Sequence, residues 1–121
     1  MGYGRKISGG KYHKLRKKKK STSPGLENKV KLNVAKSKKV RGLGGNEKSI
    51  ILSTNQVSVT DPKTHKAKKV GIKNVLETPS NNFLARQNIL IKSAIIDTDL
   101  GKAKITNRPS QDGNVQAVLV E

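Results

Sequence analysis

The stretch ILIKSAIIDTDLGKAKI, residues 89–105, decides the fold of this chain. Residues 89–98 are rich in β-branched side chains, which predicts one long strand. DLGK at 99–102 is typical of a turn, and AKITN at 103–107 predicts a partner strand. The stretch therefore predicts strand–turn–strand, and the fold depends on which other segments can pair with it.

Two further segments alternate apolar and polar residues, as half-buried strands do. NKVKLNV at 28–34 has a clear apolar face. NVQAVLV at 114–120 follows RPSQDG, a predicted turn at 108–113, and carries apolar residues on both faces. We expect this last strand to be buried on both sides. Four apolar residues are expected in the core: Ile89 and Ile91 of the predicted long strand, and Val115 and Leu119 of the last strand.

The middle of the chain predicts a hairpin. SIILSTNQVSV at 49–59 reads as a strand with a bulge near residues 53–55, and AKKVGIKNV at 67–75 alternates as a second strand. TDPKTHK at 60–66 contains Asp-Pro, which favours a turn between them.

TPSNNFLARQN at 78–88 is the only segment that predicts a helix, and a short one. Ser80 or Asn81 can cap it, because a side-chain oxygen there accepts a hydrogen bond from the first helical turn. Phe83 and Leu84 are expected to point inward.

These segments predict a mainly β fold with about six short strands separated by turns. The pattern favours a small six-stranded β-barrel-like body with one short helix, since closure protects strand edges in so short a chain. The body is expected to span residues 27–121 and to include a glycine-rich basic loop at 36–48. Residues 1–26 show no apolar periodicity and predict an extended basic N-terminal arm.

Charge gives the first indication of function. The 121 residues hold 26 Lys and Arg against 8 Asp and Glu, for a formal net charge of +18. The first 48 residues carry 16 of those basic residues and two of the acidic ones. Such an excess attracts polyanions, of which nucleic acid and an anionic membrane surface are the usual examples.

The sequence argues against several other classes. No apolar run approaches the roughly 20 residues of a spanning helix. The start lacks the apolar stretch of a secretory signal. Since there is no cysteine, disulfides and thiolate chemistry are excluded, and a cytoplasmic protein is expected.

Enzymatic chemistry lacks the necessary residues. His13 and His65 stand far apart, and Asp97 and Asp99 have no evident third ligand for a metal ion. GLGG at 42–45 is only superficially like a phosphate-binding loop, because a predicted strand rather than a helix follows it. We therefore expect no enzyme activity, no metal, no cofactor and no small-molecule substrate.

Two basic segments are the candidate binding sites. In the arm, lysines and arginines can neutralise phosphates and release counterions, while Tyr12 and His13 can stack on unpaired bases. In the loop, Arg41 can bind phosphate with two hydrogen bonds, and glycines allow close backbone approach. The candidate RNA-binding residues are Arg5, Lys6, Lys11, Tyr12, His13, Lys14, Arg16, Lys17, Lys18, Lys19, Lys20, Lys38, Lys39, Arg41, Gly44, Gly45, Asn46 and Lys48.

Each assignment has a plainer alternative. The lysine run is also compatible with a solubilising tail or a localisation signal. Tyr12 can instead pack on the protein body, and residues 38–48 can be a flexible loop without a ligand. For the whole chain, the alternatives are a free-standing, non-specific DNA- or RNA-binding protein and a protein that associates with anionic lipid. The lipid alternative is disfavoured because no amphipathic helix with large apolar residues is visible.

Three stretches carry a resemblance to a known family: GRKISGGKYHKLRKKKK at 4–20, RGLGGNEK at 41–48 and NRPSQDGNVQAVLVE at 107–121. With ETPSNN and RQNILIKSAII between them, the chain resembles the archaeal and eukaryotic family of small-subunit ribosomal protein eight. This family is distinct from the bacterial-type protein of the same number. The compact length looks like the archaeal form, since eukaryotic members carry an insertion.

The resemblance implies a structural constituent of a cytoplasmic, 30S-type small ribosomal subunit. It implies a β-barrel body and a basic terminus that threads into small-subunit rRNA. It also implies a monomer within the subunit, with neighbouring ribosomal proteins as further partners and no association with a membrane. It maps the RNA-facing stretches onto residues 5–20 and onto the glycine loop. Leu43 in that loop departs from the family pattern.

Overall fold

A computed structural model of the protein describes residues 4–13 and 16–120. Within those residues the chain forms nine strands and two short α-helices. The strands are β1 Val30–Leu32, β2 Lys36–Arg41, β3 Glu47–Thr54, β4 Gln56–Thr60, β5 Ala67–Glu77, β6 Ile89–Leu90, β7 Ile95–Thr98, β8 Gly101–Ile105 and β9 Gln116–Leu119. The helices are α1 Asn82–Arg86 and α2 Pro109–Asp112, and single 3-10 turns occur at Lys20–Thr22 and Leu43–Gly45.

Five strands close into a barrel in the order β4-β5-β7-β8-β9. The neighbours pair antiparallel, except that β4 and β9 pair in parallel and so complete the ring. The interior is aliphatic, and side chains as small as Ala103 and as large as Ile96 are both fully buried there. Small residues next to large ones suit a five-stranded barrel, whose interior is narrow.

A second sheet of four strands runs in the order β2-β3-β1-β6. β3 pairs antiparallel with β2 and parallel with β1. Val30 of β1 and Leu90 of β6 are 1% exposed and belong to the same hydrophobic cluster as the barrel interior. The barrel and this sheet therefore share one core.

The expectation of a mainly β, barrel-like body is confirmed, but six strands and one helix were wrong. The predicted strand at 49–59 is two strands in different sheets, broken at Asn55. There the Thr54 hydroxyl accepts from the Gln56 amide at 3.2 Å, and the Asn55 carbonyl accepts from Ile72. The predicted bulge is thus the point where the chain leaves one sheet and enters the barrel. β4 and β5 form the predicted hairpin.

Residues 89–98 are not one long strand. β6 ends at Leu90, and the chain turns before β7 starts at Ile95. Ser93 holds a φ of 67°, and its amide donates to the Ile105 carbonyl at 2.9 Å. The turn leaves Ile91 only half-buried, contrary to expectation, whereas Ile89 is buried as predicted.

The predicted helix is present as α1, and its cap is Asn81, whose side chain accepts from the Phe83 amide at 3.0 Å. Phe83 itself is 69% exposed, so its expected inward orientation was wrong; Leu84 is half-buried. The predicted turn at 108–113 is the short helix α2 followed by Gly113 in the left-handed conformation. After it, Val115 is buried as predicted.

The last strand is less buried than expected. Ala117 in β9 is buried, but Leu119 and Val118 are only half-buried, and Val120 beyond the strand is 45% exposed. One side of the strand faces the barrel interior and the other lies close to solvent.

Candidate nucleic-acid interface

β2 (Lys36–Arg41) and the first three residues of β3 (Glu47–Ser49) form an exposed basic ribbon, the β2–β3 ribbon. All six residues of β2, which was expected to be part of a flexible loop, are exposed. The pairing register sets Lys39 opposite Ser49 and Arg41 opposite Glu47. Because alternate residues of a strand share a face, as directly paired residues do, the Lys39 and Arg41 side chains lie on one side of the ribbon. Glu47 is on this side too, with a carboxylate oxygen 3.9 Å from Lys39 Nζ.

The opposite face carries two other lysines of the predicted loop, Lys38 and Lys48. Lys38 pairs with Ile50, and Val40 pairs with Lys48. Lys48 Nζ donates to Oε1 of Gln111 in α2 at 2.5 Å. The candidate residues of this segment are therefore split between two faces, and Lys48 is turned toward α2 rather than grouped with Arg41.

The tip of the ribbon is a compact glycine turn. The Gly42 amide donates to the Asn46 carbonyl at 2.6 Å, and Asn46 Nδ2 donates to the Leu43 carbonyl at 3.3 Å. Gly44 and Gly45 have φ values of 73° and 78°, which non-glycine residues adopt only at a cost. The tip thus has a defined shape, and backbone rather than side chains forms its surface at the two glycines.

The N-terminal candidates include a second small turn. Arg5 and Lys11 form an antiparallel bridge, and the Lys6 amide donates to the Gly10 carbonyl at 2.9 Å. Tyr12 is 55% exposed, and Lys6 Nζ lies 5.8 Å from the centre of its ring. Lys6 Nζ therefore lies within cation–π range of one face of this ring.

The lysine run is exposed throughout its described part, residues 16–20, as is His13. It ends in the 3-10 turn at Lys20–Thr22, where the Thr22 and Ser23 hydroxyls both donate to the Lys19 carbonyl at 3.1 Å. These bonds fix the backbone just after the run and leave the lysine heads in solvent. The candidate Lys14 lies outside the described residues.

Two lysines that sequence reasoning missed share a cavity. Lys36 of β2 and Lys69 of β5 line a groove of about 400 Å³ between the outer sheet and the barrel. Apolar Val57 and polar Gln56 and Ser58 also line it. No motif marks these two lysines, because they lie on strands of two different sheets and only the packing of the sheet against the barrel brings them together.

Within residues 4–13 and 16–120, no group of three His, Cys, Asp or Glu side chains comes together as a metal site would require. No helix in the same residues is long and apolar enough to cross a membrane. The basic ribbon and the N-terminal segment remain the most prominent chemical features of the described surface.

A family model for ribosomal protein S8e matches residues 3–120, which is nearly all of the chain. The chain belongs to the ribosomal protein S8e family. Three curated relatives, each named small ribosomal subunit protein eS8, support this membership. The first, from Methanococcus aeolicus, is 43% identical over 96% of this chain and 91% of the relative. Those from Sulfurisphaera tokodaii and Sulfolobus acidocaldarius are 43% and 44% identical over 97% and 96% of this chain, and 92% and 91% of the relative.

This membership confirms the resemblance carried by the N-terminal, glycine-loop and C-terminal stretches. It agrees with the expectation of a non-enzymatic protein, since the S8e family is a family of ribosomal proteins. It also gives the basic ribbon a context. Every side chain of β2 is exposed, so this strand contributes none to the hydrophobic core.

Proposed function

We propose that this chain is a structural constituent of the cytoplasmic small ribosomal subunit and supports translation by binding and stabilising small-subunit rRNA. Its relatives carry the name of a small-subunit protein, and the match extends over nearly all of both chains. The structural observation that carries the proposal is the β2–β3 ribbon, which projects cations into solvent from a strand with no buried residue.

The ribbon binds by phosphate neutralisation and close backbone approach. Lys39 and Arg41 share one face, so they can contact phosphates along one RNA strand while the glycine tip fits against the sugar–phosphate backbone. Each phosphate contact releases condensed counterions, which favours binding independently of sequence. Exposed Tyr12 and His13 add stacking on unpaired bases.

We propose a division of the chain into a binding arm, residues 1–26, and a barrel-containing body, residues 27–121. In support, every described residue from 4 to 29 is exposed, and Val30 is the first buried one. A segment that contributes nothing to the core gains little order from the body alone. The arm's charges repel one another, so we expect it to take a single conformation only against rRNA, beside neighbouring ribosomal proteins.

A sucrose gradient of lysate from the source organism tests this function. After a wash in high salt, small subunits are separated and the protein is followed by mass spectrometry. We expect it to stay with the small subunit, since a ribosomal protein combines many contacts. Recovery at the top of the gradient, or release when DNA is digested, would contradict the proposal and favour a free-standing nucleic-acid binder.

A competition assay adds a second test. The purified full chain is bound to small-subunit rRNA and challenged with duplex DNA of equal nucleotide concentration. We expect rRNA to be retained in large excess over DNA. Equal displacement would show that charge alone determines binding.

A further inference from the structure

Two basic turns of this protein present an exposed aliphatic side chain at their tips. Ile7 in the Arg5–Lys11 turn is fully exposed, and Leu43 in the β2–β3 turn is 98% exposed. Phosphate neutralisation does not need either of them, since an aliphatic group gains nothing from contact with a phosphate.

The two turns are built alike. The Lys6 amide donates to the Gly10 carbonyl in one, and the Gly42 amide donates to the Asn46 carbonyl in the other. A glycine pair with at least one positive φ follows each aliphatic residue closely: Gly9 at 80°, and Gly44 at 73° with Gly45 at 78°. The glycines let the backbone reverse sharply at both turns, and the aliphatic side chain of each turn lies in solvent.

Cations surround both tips. Arg5, Lys6 and Lys11 flank Ile7, while Lys39 and Arg41 lie in the strand that leads to Leu43. A partner must therefore be anionic around its edge and apolar at the point that meets the tip. RNA has this combination, because its phosphates lie outside and its unpaired bases offer flat, weakly polar faces.

We propose that Leu43 and Ile7 are apolar contacts to RNA bases, each placed against an unstacked base or the open end of a base stack while the adjoining cations hold the phosphates. Apolar side chains that insert beside bases in this way are known from proteins that bend nucleic acids. The inference rests on the proposed function and adds a contact that is independent of charge.

Salt dependence separates this contact from phosphate binding. Binding of the full chain to purified small-subunit rRNA is measured for wild type, Leu43→Ala and Ile7→Ala across a range of KCl concentrations. We expect Leu43→Ala to raise the Kd about tenfold at every salt concentration, because the lost contact is apolar. The slope of log K against log[KCl] should not change, because no cation is removed.

Leu43→Met, which keeps the apolar volume, should restore wild-type binding. Leu100→Ala is the matched control, since Leu100 is 46% exposed at the turn between β7 and β8, outside both basic turns. All these side chains are exposed, so melting temperatures should match wild type.

Three results would overturn the inference. An unchanged Kd in both tip variants would show that the tips touch no base. A reduced slope would show that Leu43 positions a phosphate contact instead. If the tip variants bind naked rRNA with wild-type affinity but are poorly incorporated into reconstituted subunits, the tips lie instead in an apolar pocket of a neighbouring protein. If wild type itself fails to bind the rRNA, the proposed function fails, which is a separate outcome.

Discussion

Gly113 lies so close to Ser49 that a β-carbon on it would be 2.9 Å from the Ser49 carbonyl oxygen. Gly113 ends α2, and Ser49 belongs to β3, so this contact joins the short helix to the strand of the basic ribbon. The Lys48–Gln111 hydrogen bond joins the same two elements. The ribbon's orientation on the body therefore depends on a glycine 64 residues away in sequence.

Gly113→Ala should destabilise the protein by about 2–4 kcal/mol, because a positive φ and a close backbone contact are both penalised. Gly45→Ala is the control: its φ of 78° is similar to the 72° of Gly113, but nothing lies within 4 Å of its β-carbon position. We expect that variant to lose at most about 1–2 kcal/mol. Urea unfolding measures both, and equal losses would mean that α2 can move away from β3 without cost.

The barrel core gives a second prediction. Ile96 of β7 is fully buried, so Ile96→Ala should cost about 2–5 kcal/mol through lost burial and the cavity left behind. Ile96→Asp should prevent folding, because a buried unpaired charge is far more costly. Ile91, half-buried beyond β6, should tolerate alanine better. Thermal melts by circular dichroism test the ranking; similar melting temperatures for Ile96→Ala and Ile91→Ala would show that the barrel interior is not the stability centre.

Sequence patterns found the strands that have an apolar face and missed the one that does not. β4, β5 and β8 alternate, and they pair as expected. β2 carries four basic residues and no buried one, so its strand character comes only from backbone pairing with β3. An irregularity at residues 53–55 was predicted as a bulge, but the switch between sheets at Asn55 was not, since such a switch depends on partners distant in sequence.

The candidate site divides in the same way. Residue types identified the cations and the glycines, because those properties belong to single positions. Their grouping depends on register: one residue of shift would exchange the face of Arg41 with that of Lys38. The contact from Lys48 to Gln111 spans 63 positions, and nothing in the local sequence indicates it.

The turn between β4 and β5 gives a prediction about pH. The Lys63 amide donates to Asp61 Oδ1 at 2.9 Å, and the Thr64 hydroxyl donates to Oδ2 at 2.8 Å. These two bonds lower the pKa of Asp61 below its ordinary value of 3.8, the Lys63 amide contributing most. Since the folded pKa is the lower one, the turn's stabilisation is complete above the ordinary value and is lost as pH falls through the folded pKa.

Thr64→Val should therefore raise the pKa of Asp61 toward its ordinary value without reaching it, because the Lys63 amide still donates. Thr64→Ser should keep the wild-type pKa, since it retains the hydroxyl. A carbon-detected NMR titration of the Asp61 carboxyl measures both. The same pKa in all three proteins would show that the Thr64 hydroxyl does not stabilise the carboxylate in solution.

The lysine run gives the strongest test of the electrostatic part of the mechanism. Replacing Lys17–Lys20 with alanine removes four exposed cations from the proposed arm. If each contacts one phosphate, the slope of log K against log[KCl] for binding to small-subunit rRNA should fall by roughly 3. None of these four lysines lies in the hydrophobic core, so the melting temperature should stay near that of wild type.

The control removes the same number of charges from the barrel region: Lys66, Lys68, Lys102 and Lys104, all exposed, are replaced with alanine. Both variants have the same net charge, so they attract RNA equally at long range. Only the arm variant should show the full expected decrease in slope, because the slope depends on the number of phosphates in contact rather than on total charge. Equal slopes in the two variants would mean that the lysine run makes no more phosphate contacts with rRNA than the exposed lysines of the barrel do.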